Sequence, residues 1–268
     1  MSDFTADWLS LREPLDQTAR DLRLLLKLLA WRRTKGALAV VDLGSGSGAN
    51  LRFLAPHLAG GQTWRLVERD GALLVGATWP RDPDGKLTAE PLVADLARLD
   101  LDELLAGADL VTASALLDLA APAWLARLAA AASKHRPALY ITLSYDGRVE
   151  LSPGDPDDRE VLALVNRHQG RDKGLGGPAL GPAAADHLAA RLEAAGYQVE
   201  TSQADWRLDA DHGPAIAHLV DGWAAAATES APGQADIIAA WRDRRLDLAR
   251  RGTLGGLVGH LDLLALWP

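Results

Sequence analysis

The chain has 268 residues, of which 48% are hydrophobic and 24% charged, and its formal net charge is -8. This length and composition suit one large soluble domain with an apolar core, and two full domains are the less favoured alternative. Acidic residues outnumber basic ones 36 to 28, which argues against nucleic acid as a partner while leaving a local basic patch open. Cysteine is absent, so we expect a reducing, cytoplasmic compartment and no disulfides.

The sequence shows neither the pattern of a signal peptide nor that of a membrane-spanning helix. Residues 1–7 carry acidic side chains where a signal peptide needs basic ones, so secretion is not expected. The longest apolar stretches, 22–31 and 125–132, are shorter than the roughly 20 residues that a membrane-spanning helix requires. We therefore expect no contact with a membrane. The histidines are scattered without metal-ligand spacing, so we also expect no metal.

The first half of the chain alternates between helical and strand-like patterns. Apolar residues recur at helical spacing over 8–33, which predicts one or two helices that cap the sheet. After these helices, strands are predicted at 37–43, 63–68, 86–93, 108–113 and 138–144, and further helices at 49–58, 71–78, 101–105 and 122–134. Strands separated by helices of this length favour right-handed crossovers, so the pattern predicts an open, doubly wound α/β sheet that is mostly parallel.

The second half is interrupted by segments rich in turn residues, 146–156 and 170–182, which predict insertions after the fifth strand. Helices are predicted at 157–168, 182–195, 214–227 and 234–251, and strands at 197–206 and 258–267. We expect a single domain, made of a helical cap (1–36), a cofactor-binding half (37–145), an insertion or lid (146–182) and a C-terminal part of the sheet with helical insertions (183–268).

The first predicted strand ends in the turn Gly44-Ser45-Gly46-Ser47-Gly48 and leads into a helix, which brings backbone amides and a helix N-terminus to one point. Asp42 precedes this turn inside an apolar strand, where a carboxylate is costly unless it meets donors. Glu68 closes the second strand, where a carboxylate can accept both hydroxyls of a ribose. Asp95 follows the third strand, placed to accept from an adenine amino group, with Leu96 beside it as amide donor and apolar contact.

Together these residues resemble the class I S-adenosylmethionine-dependent methyltransferases of the small-molecule type. The resemblance implies a Rossmann-like three-layer sandwich whose seven-stranded sheet has an antiparallel last strand. It also implies S-adenosylmethionine as cofactor, methyl transfer to O, N or C of a small acceptor, and S-adenosylhomocysteine as product. The implied cofactor contacts are Asp42, Gly44, Ser45, Gly46 and Gly48 around the methionine moiety, Glu68 at the ribose, Asp95 and Leu96 at the adenine, and Ser114 near the methyl group.

Two other functions fit parts of the same pattern. Gly44-x-Gly46-x-x-Ala49 also satisfies the looser fingerprint of an NAD(P)-dependent oxidoreductase, but Asp42 would face a pyrophosphate unfavourably. A non-catalytic S-adenosylmethionine-binding module that acts through a partner is the other alternative, because the sequence names no secure base. A homodimer is left open.

Acceptor contacts are expected from the cap and the insertions, because loops beyond the carboxyl ends of the strands surround the site in such sheets. The stretch 114–118 lacks the Asn/Asp-Pro-Pro-Tyr/Phe pattern, which disfavours nucleic acid as the acceptor. Tyr145 and His168 are the candidate catalytic residues, as an orienting hydroxyl and a base, with packing and a solvated loop histidine as the alternatives. The candidate substrate contacts are Arg12, Asp118 and Lys173.

Overall fold

The computed structural model describes residues 5–80 and 85–268, so the expectation about secretion rests partly on residues outside the described ones. The helices are Ala6–Ala19 (α1), Leu22–Arg32 (α2), Ala49–Leu58 (α3), Gly71–Val75 (α4), Leu101–Leu105 (α5), Pro122–His135 (α6), Asp158–Gln169 (α7), Ala184–Ala194 (α8), Gly213–Ser230 (α9) and Ala235–Arg250 (α10). The strands are Leu38–Leu43 (β1), Gln62–Glu68 (β2), Leu87–Val93 (β3), Leu110–Ser114 (β4), Ala138–Ser152 (β5), Gln198–Gln203 (β6), Trp206–Leu208 (β7) and Gly255–Leu266 (β8).

The strands form one sheet in the order β3-β2-β1-β4-β5-β8-β6, with β7 paired to β8 beside this path. The pairs among β1 to β5 are parallel, whereas β8 runs antiparallel to β5, β6 and β7. The chain moves from β1 outward to β3 and then returns to β4, so the direction of winding reverses between β1 and β4. The predicted doubly wound fold with an antiparallel last strand is confirmed, and β7 adds an eighth strand to the predicted seven.

Strand β1 is buried because it points apolar side chains to both faces of the sheet. Val41 and Leu43 belong to the core that lies against α5, α6 and α8, whereas Leu38 and Val40 belong to the core on the side of α2 and α3. This alternation follows from the two-residue period of a strand. It also places Asp42 on the same face as Val40, toward α3.

The N-terminal helices are fixed to the sheet by a buried acid of β8. Asp262 accepts hydrogen bonds from the backbone amides of Leu143 (2.8 Å) and Asp21 (2.9 Å). Asp21 in turn caps α2 by accepting from the amide of Leu24 at 2.7 Å. Burial raises the pKa of Asp262 to about 6, against the opposing effect of the two amides. The predicted cap is therefore anchored at the junction of α1 and α2.

Strand β5 corrects one prediction, because the sequence pattern ended this strand at 144 and predicted turns over 146–156. The strand continues to Ser152, with shifts of register between Ile141 and Ser144 and between Tyr145 and Val149. Beyond the second shift it pairs with the start of β8, and β7 pairs with the other side of β8. Turn-forming residues at 146 and 147 therefore occupy an irregularity inside a strand instead of ending it.

This three-stranded extension carries its own apolar core. Its side chains, including Trp206 of β7, pack with buried residues of α1, α7, α9 and α10, including Trp223 and Trp241. The core is closed by Arg245 of α10, whose side chain is fully buried. Arg245 donates from Nε to Asp158 Oδ1 at 3.0 Å and from Nη1 to the carbonyl of Pro153 at 2.6 Å. We call these helices and the extension the helical roof, since the extension continues the sheet past the carboxyl end of β4 and the helices cover it.

Replacing Arg245 tests how strongly the helical roof depends on this ion pair. We expect Arg245→Met to lower the free energy of unfolding by about 3 kcal/mol, because it leaves the Asp158 carboxylate with little access to water. Urea unfolding followed by tryptophan fluorescence measures the loss. Arg242→Met is the control, since Arg242 and Asp221 form an exposed pair, and its effect should stay below about 1 kcal/mol. Equal losses in both variants would contradict a special role for the buried pair.

Candidate functional site

The glycine turn lies after β1, at the point where the winding of the sheet reverses. Gly44, Gly46 and Gly48 have φ angles of 66°, 53° and 81°, a conformation that residues with a side chain rarely adopt. A Cβ atom on Gly48 would come within 2.4 Å of the Trp79 ring, and one on Gly44 within 3.0 Å of Leu116. Both the backbone geometry and the close approach of these apolar side chains therefore require glycine.

A buried network of polar side chains lies next to the glycine turn, among the apolar side chains of β1. Asn50 of α3 donates from Nδ2 to Asp42 Oδ1 at 3.0 Å and to Thr112 Oγ1 at 2.5 Å. Arg20, at the end of α1, donates to Asn50 Oδ1 at 2.7 Å. The single amide of Asn50 thus connects β1, β4 and the helical cap. The donor that the buried acid of β1 was predicted to need is this asparagine.

Two buried oxygen atoms of this region have no hydrogen-bond partner in the structure, Oδ2 of Asp42 and Oγ of Ser45. Burial raises the pKa of Asp42 to about 7, and the charge of Glu68 acts in the same direction. The hydrogen bond from Asn50 and the charge of Arg20 oppose this shift. Buried polar atoms without partners are uncommon in proteins, so these two oxygens point to a ligand with donors.

The predicted ribose and adenine acids stand at the ends of β2 and β3. Glu68 accepts from the amide of Gly46 at 3.0 Å through Oε2 and from the amide of Asp70 at 3.0 Å through Oε1. Asp95 accepts from the amide of Ala97 at 2.9 Å, and its side chain is 43% exposed. Each carboxylate uses one acceptor position per backbone donor and retains others for a ligand.

The remaining predicted cofactor residues occupy the same edge of the sheet. Leu96 is buried, and its carbonyl accepts from Trp124 Nε1 at 2.9 Å. Ser114 is the last residue of β4, paired with Thr142 of β5. The next residue, Ala115, has a positive φ of 52° and so turns the chain sharply away from the strand.

The structure adds three residues that the sequence analysis missed, Asn50, Arg20 and Arg52. Arg52 binds both carboxylate oxygens of Glu13 on α1, at 2.9 and 2.6 Å, and donates to the carbonyl of Ser47 at 2.6 Å. It therefore holds α1 against the glycine turn. A signal for Asn50 was present, because Asn50 occupies the buried stripe of α3 that otherwise contains only apolar residues. Nothing in the local sequence marks Arg20 or Arg52.

The winding of the sheet reverses between β1 and β4, and we call this place the switch point. On its β4 side, charged and polar groups from four elements lie within electrostatic range of one another. Asp118 lies in the short 3-10 helix after β4 and is buried. Burial raises its pKa to about 6, while nearby backbone amides and the charges of Arg12 and Lys173 oppose the shift. Tyr145 is close enough that the charges of Asp146 and Asp118, together with burial, raise its pKa above the ordinary value.

Arg12 is buried but already paired. Its Nε and Nη2 atoms donate to the two oxygens of Asp16 at 3.0 and 3.1 Å. Its guanidinium also lies 5.0 Å from the ring centre of Trp206, whose Nε1 donates to Asp16 at 3.1 Å. A role as a carboxylate clamp for substrate stays a prediction, and it would have to coexist with this ion pair.

The two predicted catalytic residues lie in different surroundings. The Tyr145 hydroxyl donates to Asn166 Oδ1 at 2.7 Å. His168 lies at the end of α7, with Nδ1 3.0 Å from Lys173 Nζ and Nε2 3.0 Å from Glu229 Oε2. Lys173 therefore contacts His168 and also lies within electrostatic range of Asp118. A role of His168 as the base stays a prediction.

The described residues were also compared with the patterns of a metal site and of a membrane-spanning helix. Across residues 5–80 and 85–268, no group of three or more His, Asp or Glu side chains is arranged to hold a metal ion. Within the same ranges, no helix combines the length and apolar character needed to cross a membrane.

Comparison with known proteins found structural neighbours of low sequence identity. No protein-family model and no curated protein matches the chain. A S-adenosylmethionine-dependent methyltransferase from Thiobacillus denitrificans, solved with S-adenosylhomocysteine, is 16% identical with a TM-score of 0.45, covering 98% of each chain. The cyclopropane synthase MmaA2 from Mycobacterium tuberculosis is 13% identical with a TM-score of 0.44, covering 99% of this chain and 87% of its own. Similarity this low leaves function to be argued from the chain's own residues.

The raised pKa of Asp42 predicts how stability depends on pH. The folded state holds a proton on Asp42 more tightly than the unfolded chain, so stability from this group is present at low pH and lost as pH rises through about 7. We expect Asp42→Asn, which removes that titration, to be more stable than the parent chain at pH 8 by about 1–3 kcal/mol. The advantage should shrink as pH falls below about 7.

Urea titrations at pH 5.5, 7 and 8 measure this dependence. Asp109→Asn is the control, because Asp109 is a second acid that accepts one hydrogen bond at the sheet, from the backbone amide of Ala39. A stability difference that does not change with pH in Asp42→Asn would contradict a buried carboxyl that titrates near neutrality.

Proposed function

We propose that the protein binds S-adenosylmethionine at the glycine turn and transfers its methyl group to a small-molecule acceptor. The position supports this proposal, because open α/β sheets bind ligands beyond the carboxyl ends of strands at the switch point. The turn, Glu68 and Asp95 follow β1, β2 and β3, which are neighbours in that order. They therefore line one edge of the sheet over the length of an extended ligand.

The observation that carries the choice of cofactor is the acidic character of the turn. The Gly46 amide, which a phosphate would use, is already bound by the Glu68 carboxylate at 3.0 Å. Asp42 lies directly below, with one buried oxygen lacking a partner. The carboxylate of Glu68, joined by that of Asp42 when it is ionised, repels a pyrophosphate, whereas a ligand with an ammonium and a sulfonium and no phosphate is attracted. This favours S-adenosylmethionine over a dinucleotide.

The residues present fit the parts of this cofactor. The unpartnered oxygens of Asp42 and Ser45 offer acceptors to an ammonium group. Glu68 and Asp95 retain acceptor positions for ribose hydroxyls and an adenine amino group. When bound, S-adenosylmethionine supplies an electrophilic methyl group on a positively charged sulfur.

The chain's own contribution to the reaction is alignment, a dry site and removal of a proton where the acceptor carries one. Leu116 and Trp79 pack against the turn. Asp118, which is buried, and Tyr145 and Lys173, which are half-buried, are the groups that we assign to the acceptor side. The net charge of -8 does not favour nucleic acid as the acceptor, which leaves a small molecule as the proposed one.

Calorimetry with S-adenosylmethionine, S-adenosylhomocysteine and NADH tests the choice of cofactor. We expect both adenosyl ligands to bind and NADH to bind weakly or not at all. Glu68→Ala and Asp95→Ala should each weaken binding by about 1–3 kcal/mol, because donors of the ligand lose their acceptors. Glu90→Ala is the control, since Glu90 is an exposed residue in the middle of β3. Binding of NADH alone would favour the oxidoreductase, and unchanged affinity in both variants would place the site elsewhere.

Methyl transfer itself separates an enzyme from a binding module. The protein is incubated with a metabolite extract and a methyl donor labelled on its methyl group, and the products are separated by mass. We expect one or a few small molecules to gain the label. Tight binding of the donor without any labelled product would favour the non-catalytic module.

A further inference from the structure

Three side chains form a continuous hydrogen-bonded row from the acceptor side to the surface. Lys173 Nζ lies 3.0 Å from His168 Nδ1, and His168 Nε2 lies 3.0 Å from Glu229 Oε2. Because Lys173 donates to Nδ1, His168 carries its hydrogen on Nε2 and donates to Glu229. All the donors therefore point outward, from Lys173 toward the carboxylate.

The outer end of the row is fixed and reaches water. Arg171 donates to Glu229 Oε2 at 3.1 Å and to the Glu229 carbonyl at 2.7 Å. The Glu229 side chain is 63% exposed. Its pKa is lowered chiefly by the hydrogen bond from His168, so a proton that arrives there passes readily to solvent.

The inner end of the row lies beside the segment that follows β4, where Leu175 bridges to Ala120. The Leu175 carbonyl accepts from the amide of Ala121 at 3.0 Å, which holds this segment against the start of α6. A Cβ on Gly174, the residue after Lys173, would lie 3.7 Å from Nη1 of Arg69. Lys173 also lies within electrostatic range of Asp118, in the 3-10 helix after β4.

We propose that Lys173 is the general base of the acceptor site and that His168 and Glu229 carry its proton to solvent. The inference rests on the proposed methyl transfer. It assigns the acceptor to molecules whose attacking N or O atom bears a proton, such as an amine or a hydroxyl compound. Acceptors that attack without losing a proton, such as thioethers or tertiary amines, would not need this row.

The proton movements balance. The acceptor atom donates its electron pair to the methyl carbon, and the carbon–sulfur bond breaks with its electrons remaining on sulfur. Neutral Lys173 takes the proton that the acceptor loses. Lys173 then gives a proton to His168 Nδ1 as His168 releases the one on Nε2 to Glu229, which passes it to water. No oxidant, reductant or metal is needed.

The electrostatics of the site are compatible with a neutral lysine. Burial lowers the pKa of Lys173, with Arg171 acting in the same direction and the charges of Asp118 and Glu229 opposing the shift. Burial likewise lowers the pKa of His168, and the charges of Lys173 and Arg171 add to this effect against Glu229. A neutral His168 can accept and donate at once, which a transfer through it requires.

The decisive experiment needs no acceptor. Native protein is acetylated with limiting acetic anhydride across a range of pH, and the extent at each lysine is read by peptide mass spectrometry. Since only neutral lysine reacts, we expect labelling of Lys173 to rise at lower pH than that of Lys134, an exposed lysine on α6. Labelling of both lysines with the same pH dependence would overturn the proposal.

Glu229→Gln distinguishes the row from a merely structural contact. Removing the negative charge should move the titration of Lys173 to still lower pH, because a neighbour that favours the charged form is lost. If the substitution instead opened the segment that carries Lys173, the titration of Lys173 would move toward the titration of Lys134, and this result would count against the row. His168→Asn keeps an acceptor for Lys173 but cannot pass a proton on.

Turnover of the labelled donor with the metabolite extract completes the test. We expect Lys173→Met to lower label transfer on the order of 100-fold and His168→Asn by a smaller factor. Affinity for S-adenosylhomocysteine should stay at the parent value in both. Full transfer by Lys173→Met would overturn the proposal. Failure of the parent protein to bind S-adenosylhomocysteine would instead overturn the proposed function, while the acetylation result would still decide whether Lys173 is neutral.

Discussion

The side chain of Asn50 holds together the parts of the molecule on which the candidate site depends. Strand β1 is buried on both faces, so the carboxylate of Asp42 has no access to water and needs a donor from the protein. Asn50 supplies it, and its carbonyl oxygen in turn accepts from Arg20. The position of the N-terminal cap therefore follows from the need to satisfy one acid below the glycine turn.

The helical roof depends on a different constraint, the continuation of β5 past the sheet. A strand that extends beyond its parallel neighbour exposes backbone donors and acceptors, and β5 pairs this extension with β8, whose other side pairs with β7. The resulting surface is apolar, and α7, α9 and α10 cover it together with α1. One consequence is that the last turn of α7 meets the end of α9, where His168 contacts Glu229. Asp118, Lys173 and Glu229 come close only because of this arrangement.

The first half of the fold could be predicted because its signals are local. Continuous apolar runs mark β1 and β4, glycines mark the turn, and Glu68 and Asp95 end strands whose neighbours follow directly in the chain. The extension of β5 could not be predicted, since Asp146 and Gly147 are typical turn residues. The strand continues past them because residues 149–152 pair with a strand more than a hundred residues later. The contact between His168 and Glu229 spans 61 positions and has no sequence signal.

This difference between local and distant contacts separates the two sides of the candidate site. On the cofactor side the acids are held by backbone amides and by Asn50, which lies eight positions from Asp42. On the acceptor side every charged group is placed by an element of its own, from α1, from the 3-10 helix after β4, from the segment after α7 and from α9. A substitution in α7, α9 or α10 can therefore move the groups on the proposed acceptor side while leaving the glycine turn unchanged. The proposed cofactor side and the proposed acceptor side can then vary independently, which is how one sheet can serve different functions.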